Sequence, residues 1–255
     1  MTGSARRRTG DSRYGERVPL VAAAVCPHPP LLVPEVAGSA APELDDLRAA
    51  CDTAVRRLLA ADPDTLLLLG TGPVTGPIGT PATGSLQPWG VDLDVPLVPG
   101  QPDRGAVLPL SLTIGAWLLT RHDARPPVTA VQVAADAGPA ELAALAAEVD
   151  AAGDRVAALV LGDGSACRGE KAPGYDDARA LPYDQGVAAA LADADLDALL
   201  DLDPVLSTEL KAAGRASWQV LAGAARAAGG GWRGELLHDS APYGVAYFVA
   251  SWERV

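Results

Sequence analysis

Short apolar runs that alternate with helix-patterned segments constrain this chain more than anything else in it. Val18–Val25 reads as a buried strand. So do "DTLLLLG" at 64–70, "VTAVQVAAD" at 128–136 and "VAALVLG" at 156–162. Runs this short, apolar throughout and not alternating, suit strands covered on both faces. Between them lie segments with helical spacing. In "PELDDLRAACDTAVRRLLAA" the stripe is Leu44, Leu47, Cys51, Val55, Leu58 and Leu59. "LPLSLTIGAWLLTR" and "PAELAALAAEVDAAGDR" also read as helices, the second opening at Pro139. Two more follow, around "YDQGVAAALADADLDALLDL" and "DPVLSTELKAAGRASWQVLAGAARAAG", and "WRGELLHDS" and "VAYFVASW" read as closing strands. The pattern predicts an α/β fold: one domain over 18–255, with a central, mostly parallel sheet flanked by helices on both faces. The 255 residues are enough for such a core.

Composition excludes several functions. A net charge of -12, with no basic stripe beyond the N-terminus, argues against nucleic acid. No apolar run approaches membrane-spanning length, so no membrane partner is expected. Residues 1–17, "MTGSARRRTGDSRYGER", lack the apolar centre of a signal peptide and read as a disordered tail. Three widely spaced cysteines, Cys26, Cys51 and Cys167, suit free thiols in a reducing compartment. A cytoplasmic location is the expectation.

In parallel sheets chemistry gathers beyond the carboxyl ends of the strands. Three such ends carry unusual residues: "CPHPP", "GTGPVTGP" and "GDGSACRGEKAPGY". His28, framed by prolines, can serve as metal ligand, general base or turn residue. Asp163 can orient a ligand or cap a turn. Ser165, Cys167, Arg168, Glu170 and Lys171 complete the densest polar cluster after a strand, and Arg168 beside Cys167 can lower a thiol pKa. Tyr175 is either a pocket aromatic or a loop anchor. His122 sits at a helix end, where the macrodipole accounts for it; His238 stays open. The long Gly/Pro/Thr-rich stretch 71–90 reads as a loop. GxSxG, GxGxxG, Walker A and HExxH are all absent.

Ordered pieces of the chain resemble the class III extradiol ring-cleavage dioxygenase superfamily, in its subunit-B-like branch, to which the Memo-type proteins are related. "CPHPPLLVPEV" is similar to its opening strand and His-Pro-Pro turn, and "DTLLLLGTGP" to a strand that usually ends Ser-Pro-His-Gly-Pro. "LVLGDGSACRGEKAPGYDDARALPYDQGVAAAL" resembles the segment that begins Gly-Asp-Leu-Ser-His. "ELKAAGRASWQVLAGA" resembles a helix carrying Glu-Cys-Gly and then Arg-Ser, and "APYGVAYFVA" the closing strand.

The resemblance implies an α/β fold, often dimeric, with iron(II) held by two His and one Glu and a further His as acid or base. Carried onto this chain, the first metal ligand falls on His28, the second near Thr71, the acid/base His on Ala166 and the carboxylate near Ala212. One imidazole does not make the facial triad that holds non-haem iron. The expectation is therefore a degraded iron site without a cofactor. The old crevice would bind a small polar or anionic ligand, lined by His28, Thr71, Asp163, Ser165, Cys167, Arg168, Lys171 and Tyr175, with His28 and Asp163 in the catalytic positions. Two alternatives stand beside it. One is an active oxygenase whose Fe(II) site is rebuilt from Cys167, His238 or Asp239. The other is a non-catalytic interaction protein.

Overall fold

The structure, a computed structural model, describes residues 20–100, 105–122, 124 and 126–255; the side chains of 150 and 151 are not described. The tail expected at 1–17 lies outside the described residues.

Ten strands are present among the described residues: β1 (Leu20–Cys26), β2 (Thr65–Gly72), β3 (Gly76–Ile78), β4 (Ala82–Ser85), β5 (Asp94–Pro96), β6 (Ala106–Val107), β7 (Val128–Ala134), β8 (Val156–Leu161), β9 (Trp232–Ser240) and β10 (Tyr247–Arg254). The α-helices are α1 (Pro34–Ala37), α2 (Asp45–Ala60), α3 (Leu110–Thr120), α4 (Pro139–Ala151), α5 (Ala180–Asp193), α6 (Leu196–Leu200), α7 (Pro204–Glu209) and α8 (Arg215–Ala228). Seven strands form one sheet in the order β3-β7-β2-β8-β1-β10-β9. The four inner strands β7, β2, β8 and β1 run parallel, and β3, β10 and β9 close the edges antiparallel.

Alternate side chains of each inner strand serve different cores, the period-two consequence of the pleat. Ala23, Val25, Leu67, Leu69, Ala158 and Val160 pack under α4, α5 and α8. Ala22, Ala24, Leu66, Leu68, Ala157 and Leu159 pack against α2 and α3. This two-sided burial is why the strands read as unbroken apolar runs. The expected α/β architecture with a mostly parallel central sheet is the one observed.

Two expectations are corrected. The stretch 71–90 supplies edge strand β3 and, through β4, part of a small sheet of order β5-β4-β6. Each of the two long helical segments after residue 183 breaks in two. Ala194 turns left-handed (φ 51°) between α5 and α6, where the Asp195 carboxylate caps the next helix. Lys211 (φ 55°) does the same between α7 and α8. No described helix is long and apolar enough to cross a membrane.

Candidate functional site

Three parallel strands end side by side. In the order β2-β8-β1, Leu69 pairs with Val160 and Cys26 with Leu161. The polar turns after these strands therefore meet at one end of the sheet, with Asp163 in the middle.

His28 follows β1 through Pro27, whose ring fixes the exit of the chain. Pro29 and Pro30 lead into a 3-10 turn at Pro30–Leu32. Buried Arg48 of α2 ties that turn down, donating to the carbonyls of Leu32 (3.3 Å) and Ala41 and pairing with Asp45 (2.5 Å). The backbone N–H of His28 donates to Asp163 Oδ1 at 2.8 Å, across 135 residues. Its imidazole Nδ1 lies 3.5 Å from the same oxygen, near enough for electrostatic attraction but without a hydrogen bond. The atom is buried and has no hydrogen-bond partner.

Asp163 is held from below as well. Its carbonyl accepts the Gly214 N–H at 2.8 Å, which fixes the start of α8 against the end of β8. Burial pushes its carboxyl above the ordinary range, against the opposing pull of His28. Tyr247 of β10, 3% exposed, belongs to the same neighbourhood. Burial raises its phenol, and the Asp163 charge raises it further.

The Asp163 shift has a testable sign. The folded protein holds this proton more tightly than the unfolded chain. The group thus favours folding fully below the ordinary Asp pKa of about 3.9, and that preference is lost as pH rises through the elevated value. Asp163→Asn keeps an oxygen for the His28 N–H and removes the titration. Urea unfolding from about pH 3.5 to about pH 8 should show parent and variant equal at the acid end and the variant increasingly the more stable above it. A difference that stays flat, or a parent that gains on the variant as pH rises, contradicts this assignment.

The remaining candidates separate. Thr71 sits at the end of β2, but its hydroxyl donates to the Ala213 carbonyl at 2.6 Å, and its own carbonyl accepts Ser111 Oγ at 2.6 Å. Ser165 faces inward to Asp184 of α5, giving Oδ1 its N–H (2.8 Å) and Oδ2 its hydroxyl (2.6 Å). Arg168 reaches the same carboxylate at 3.2 Å. Cys167 is buried against the carbonyls of Gly174 (3.5 Å) and Leu210 (3.4 Å), and burial raises rather than lowers its thiol pKa. Lys171 is exposed, and no helix starts near it, since α5 begins at Ala180. Tyr175 is 76% exposed in a left-handed turn (φ 64°). Of the expected lining, His28, Asp163 and the backbone around Thr71 lie together at the strand ends.

Two residues that the sequence did not single out pack at these turns: Tyr247 beside Asp163, and Asp184 under Ser165 and Arg168. Gly164 shows how tightly the loop is seated. A Cβ there would stand 2.6 Å from the Phe248 ring and 2.9 Å from Asp184 Oδ1.

The donor set does not fit iron. Of the four positions to which the resemblance assigns metal or acid/base roles, only His28 carries an imidazole. Ala166 and Ala212 have no donor side chain, and the Thr71 hydroxyl is spent on a carbonyl. The proposed substitutes lie elsewhere: Cys167 faces two carbonyls, and His238, on β9 two strands from β1, bonds Ser240 Oγ at 2.7 Å. Among the described residues no three His, Cys, Asp or Glu are placed to hold a metal ion. His122 pairs with Asp52 (2.9 Å) beside Arg121 just past α3, a structural role. Two large cavities lie away from His28. One, about 970 Å³, is at the opposite end of the sheet by Val21, Arg57 and Arg254, and one, about 680 Å³, lies beside α4.

The fold and the strand-end turns together define an α/β protein with a His–Asp pair at the sheet's carboxyl end. No family model matches the chain, and no curated protein matches it. Among solved structures it is similar to the crystal structure of uncharacterized protein JW3007 from Escherichia coli K12. The two share 14% sequence identity at a TM-score of 0.50, over 91% of this chain and 99% of that one. At that identity the likeness is one of fold.

Proposed function

We propose that this chain is an extradiol-dioxygenase-like protein that has given up iron and uses the strand-end crevice to bind a small hydroxylated molecule. One observation carries the reading: the buried His28 Nδ1 beside Asp163, with no protein partner for its hydrogen bond. Buried polar atoms left unpaired by the protein are commonly satisfied by a ligand or by ordered water. An imidazole, a carboxyl with a raised pKa and the neighbouring Tyr247 phenol offer both donors and acceptors, which suits hydroxyl groups. An anion is disfavoured, because Arg168 is committed to Asp184 and Lys171 faces solvent. His28 and Asp163 would act as the acid–base pair, a bound hydroxyl exchanging its proton with the imidazole.

Catechol and phenol are the probes, since the resemblance implies a catechol-binding ancestry. In the full chain treated with chelator, either should shift the His28 ring resonances saturably, and His28→Ala should weaken binding at least about tenfold. Iron(II) added without oxygen should neither bind stoichiometrically nor alter that affinity. Stoichiometric iron lost on His28→Ala, or His28 resonances unmoved by both probes, overturns the reading.

A further inference from the structure

The second cavity, about 680 Å³, lies between α4, α8 and the turn joining α6 to α7. Its size is in the range of small-molecule sites. Leu142 and Ala146 of α4 form one apolar wall; Leu200, Leu202 and Pro204 form the other. None of the residues discussed for the His28 crevice lines it.

Arg215 and Gln219, one turn apart on α8, line this cavity and are 4% and 7% exposed. The guanidinium donates to Gln219 Oε1 (2.7 Å) and to the carbonyls of Ala135 (2.6 Å) and Ala137 (3.3 Å). All three acceptors are neutral, and among the described residues Arg215 enters no ion pair. Arginine stays protonated in proteins, and buried charges are as a rule paired. Burial works against the charge here, and Asp136 answers only through space, from an exposed position. Clamping two loop carbonyls does not by itself call for a cation. Gln219 makes the same kind of contact without charge, donating to Leu200 (2.8 Å) and Leu202 (3.1 Å) carbonyls.

The N-terminus of α4, a 13-residue helix, opens at the same cavity. Gly138, its N-cap, offers no side-chain oxygen, so the first-turn amides of Ala140 and Glu141 have no side-chain acceptor. Helix dipole and buried guanidinium thus favour negative charge at one place. Asp136, Asp201 and Asp203 stand at the rim. Asp203 is occupied in capping α7, bonding the amides of Val205 (2.7 Å) and Leu206 (3.1 Å). The other two set a negative mouth that repels polyanions.

We propose that this cavity is a second ligand site, for a small monocarboxylate with an apolar tail. The carboxylate would pair with Arg215 near the start of α4, and the tail would lie between Leu142, Ala146, Leu200 and Leu202.

The test is calorimetric titration of the full chain with acetate, butyrate, hexanoate, hexanamide and inorganic phosphate. Hexanoate should bind saturably, each added methylene tightening binding roughly fourfold along the series. Hexanamide should bind at least about tenfold more weakly than hexanoate, and phosphate not measurably. Arg215→Gln should abolish the preference for hexanoate over hexanamide. Because Arg215 also holds a loop, Ala143→Phe provides a second variant. Ala143 is exposed on α4 and lines the cavity, so a ring there fills it without touching the core. That variant should lose hexanoate binding and keep the parent's melting temperature and its His28 response to catechol. No saturable binding of hexanoate, equal binding of hexanamide, or unchanged binding by Ala143→Phe overturns the proposal, whatever happens at His28.

Discussion

Asp184→Ala is expected to cost about 3 to 5 kcal/mol of stability, a large loss for a single polar side chain. Its carboxylate, with a side chain only 1% exposed, accepts three bonds from the turn that follows β8. Truncation leaves the Ser165 N–H and hydroxyl without acceptors in a residue that is itself 0% exposed, and each such orphan costs about 1 to 3 kcal/mol. Arg168 loses its counter-charge as well, but 28% of its side chain is open to water and it contributes less. The turn stays stitched to Ala246, just before β10, by Gly164 N–H to Ala246 O (2.8 Å) and Ala246 N–H to Ser165 O (2.9 Å), so the fold should survive. Asp184→Asn keeps one oxygen for the Ser165 amide and should lose roughly half as much. Chemical unfolding of the three proteins checks the order parent, Asn, Ala, with a melting drop on the order of 10 °C for Ala. An alanine variant within about 1 kcal/mol of the parent would show that the Ser165–Asp184–Arg168 group does not hold the turn.

Asp184 also shows where the sequence stops being legible. It sits one turn into α5 in "LPYDQGV", a place that marks nothing until the helix docks under the strand ends. Tyr247 is silent for the same reason, since its approach to Asp163 depends on β10 pairing antiparallel beside β1. By contrast the inner strands, β9 and the strand-end position of His28 follow from local pattern plus the strand-end rule, which needs no tertiary detail. The polar cluster 165–175 misled because nearness in sequence is not nearness in space. The inner side of that turn is taken by backbone bonds to Leu210, Gly244 and Ala246, which leaves Lys171 and Tyr175 outside. The helix breaks at Ala194 and Lys211 were hidden because neither left-handed position carries the glycine that ordinarily marks one.

Gly162→Ala should be nearly as damaging, and it tests whether Asp163 is positioned by the contact of β8 with α8. Gly162 is the residue between Leu161 and Asp163, and its N–H donates to the Cys26 carbonyl at 3.0 Å, locking β8 to β1 at their carboxyl ends. A Cβ on Gly162 would stand 2.5 Å from the Gly214 Cα and 2.9 Å from Trp218 Nε1. The first of these is backbone and cannot rotate away. Trp218 is 0% exposed and packed edge-on against Phe248 (centroids 6.1 Å apart), so it cannot yield without opening the core. Relief must come from moving the start of α8 away from the strand end, which stretches the 2.8 Å bond between Gly214 N–H and the Asp163 carbonyl. A loss of about 3 kcal/mol follows from overpacking of this kind. The melting temperature should fall by roughly 6 to 12 °C. The site should register the same shift: the His28 ring resonances should move in the unliganded variant, and catechol should bind more weakly than to the parent. Gly223→Ala is the control, on the same helix but near α4, where a Cβ meets only the Ala146 methyl at 2.9 Å. It should leave the His28 resonances where they are. If Gly162→Ala folds with parental stability and unmoved His28 resonances, the close seat of α8 on β8 does not set the geometry of Asp163.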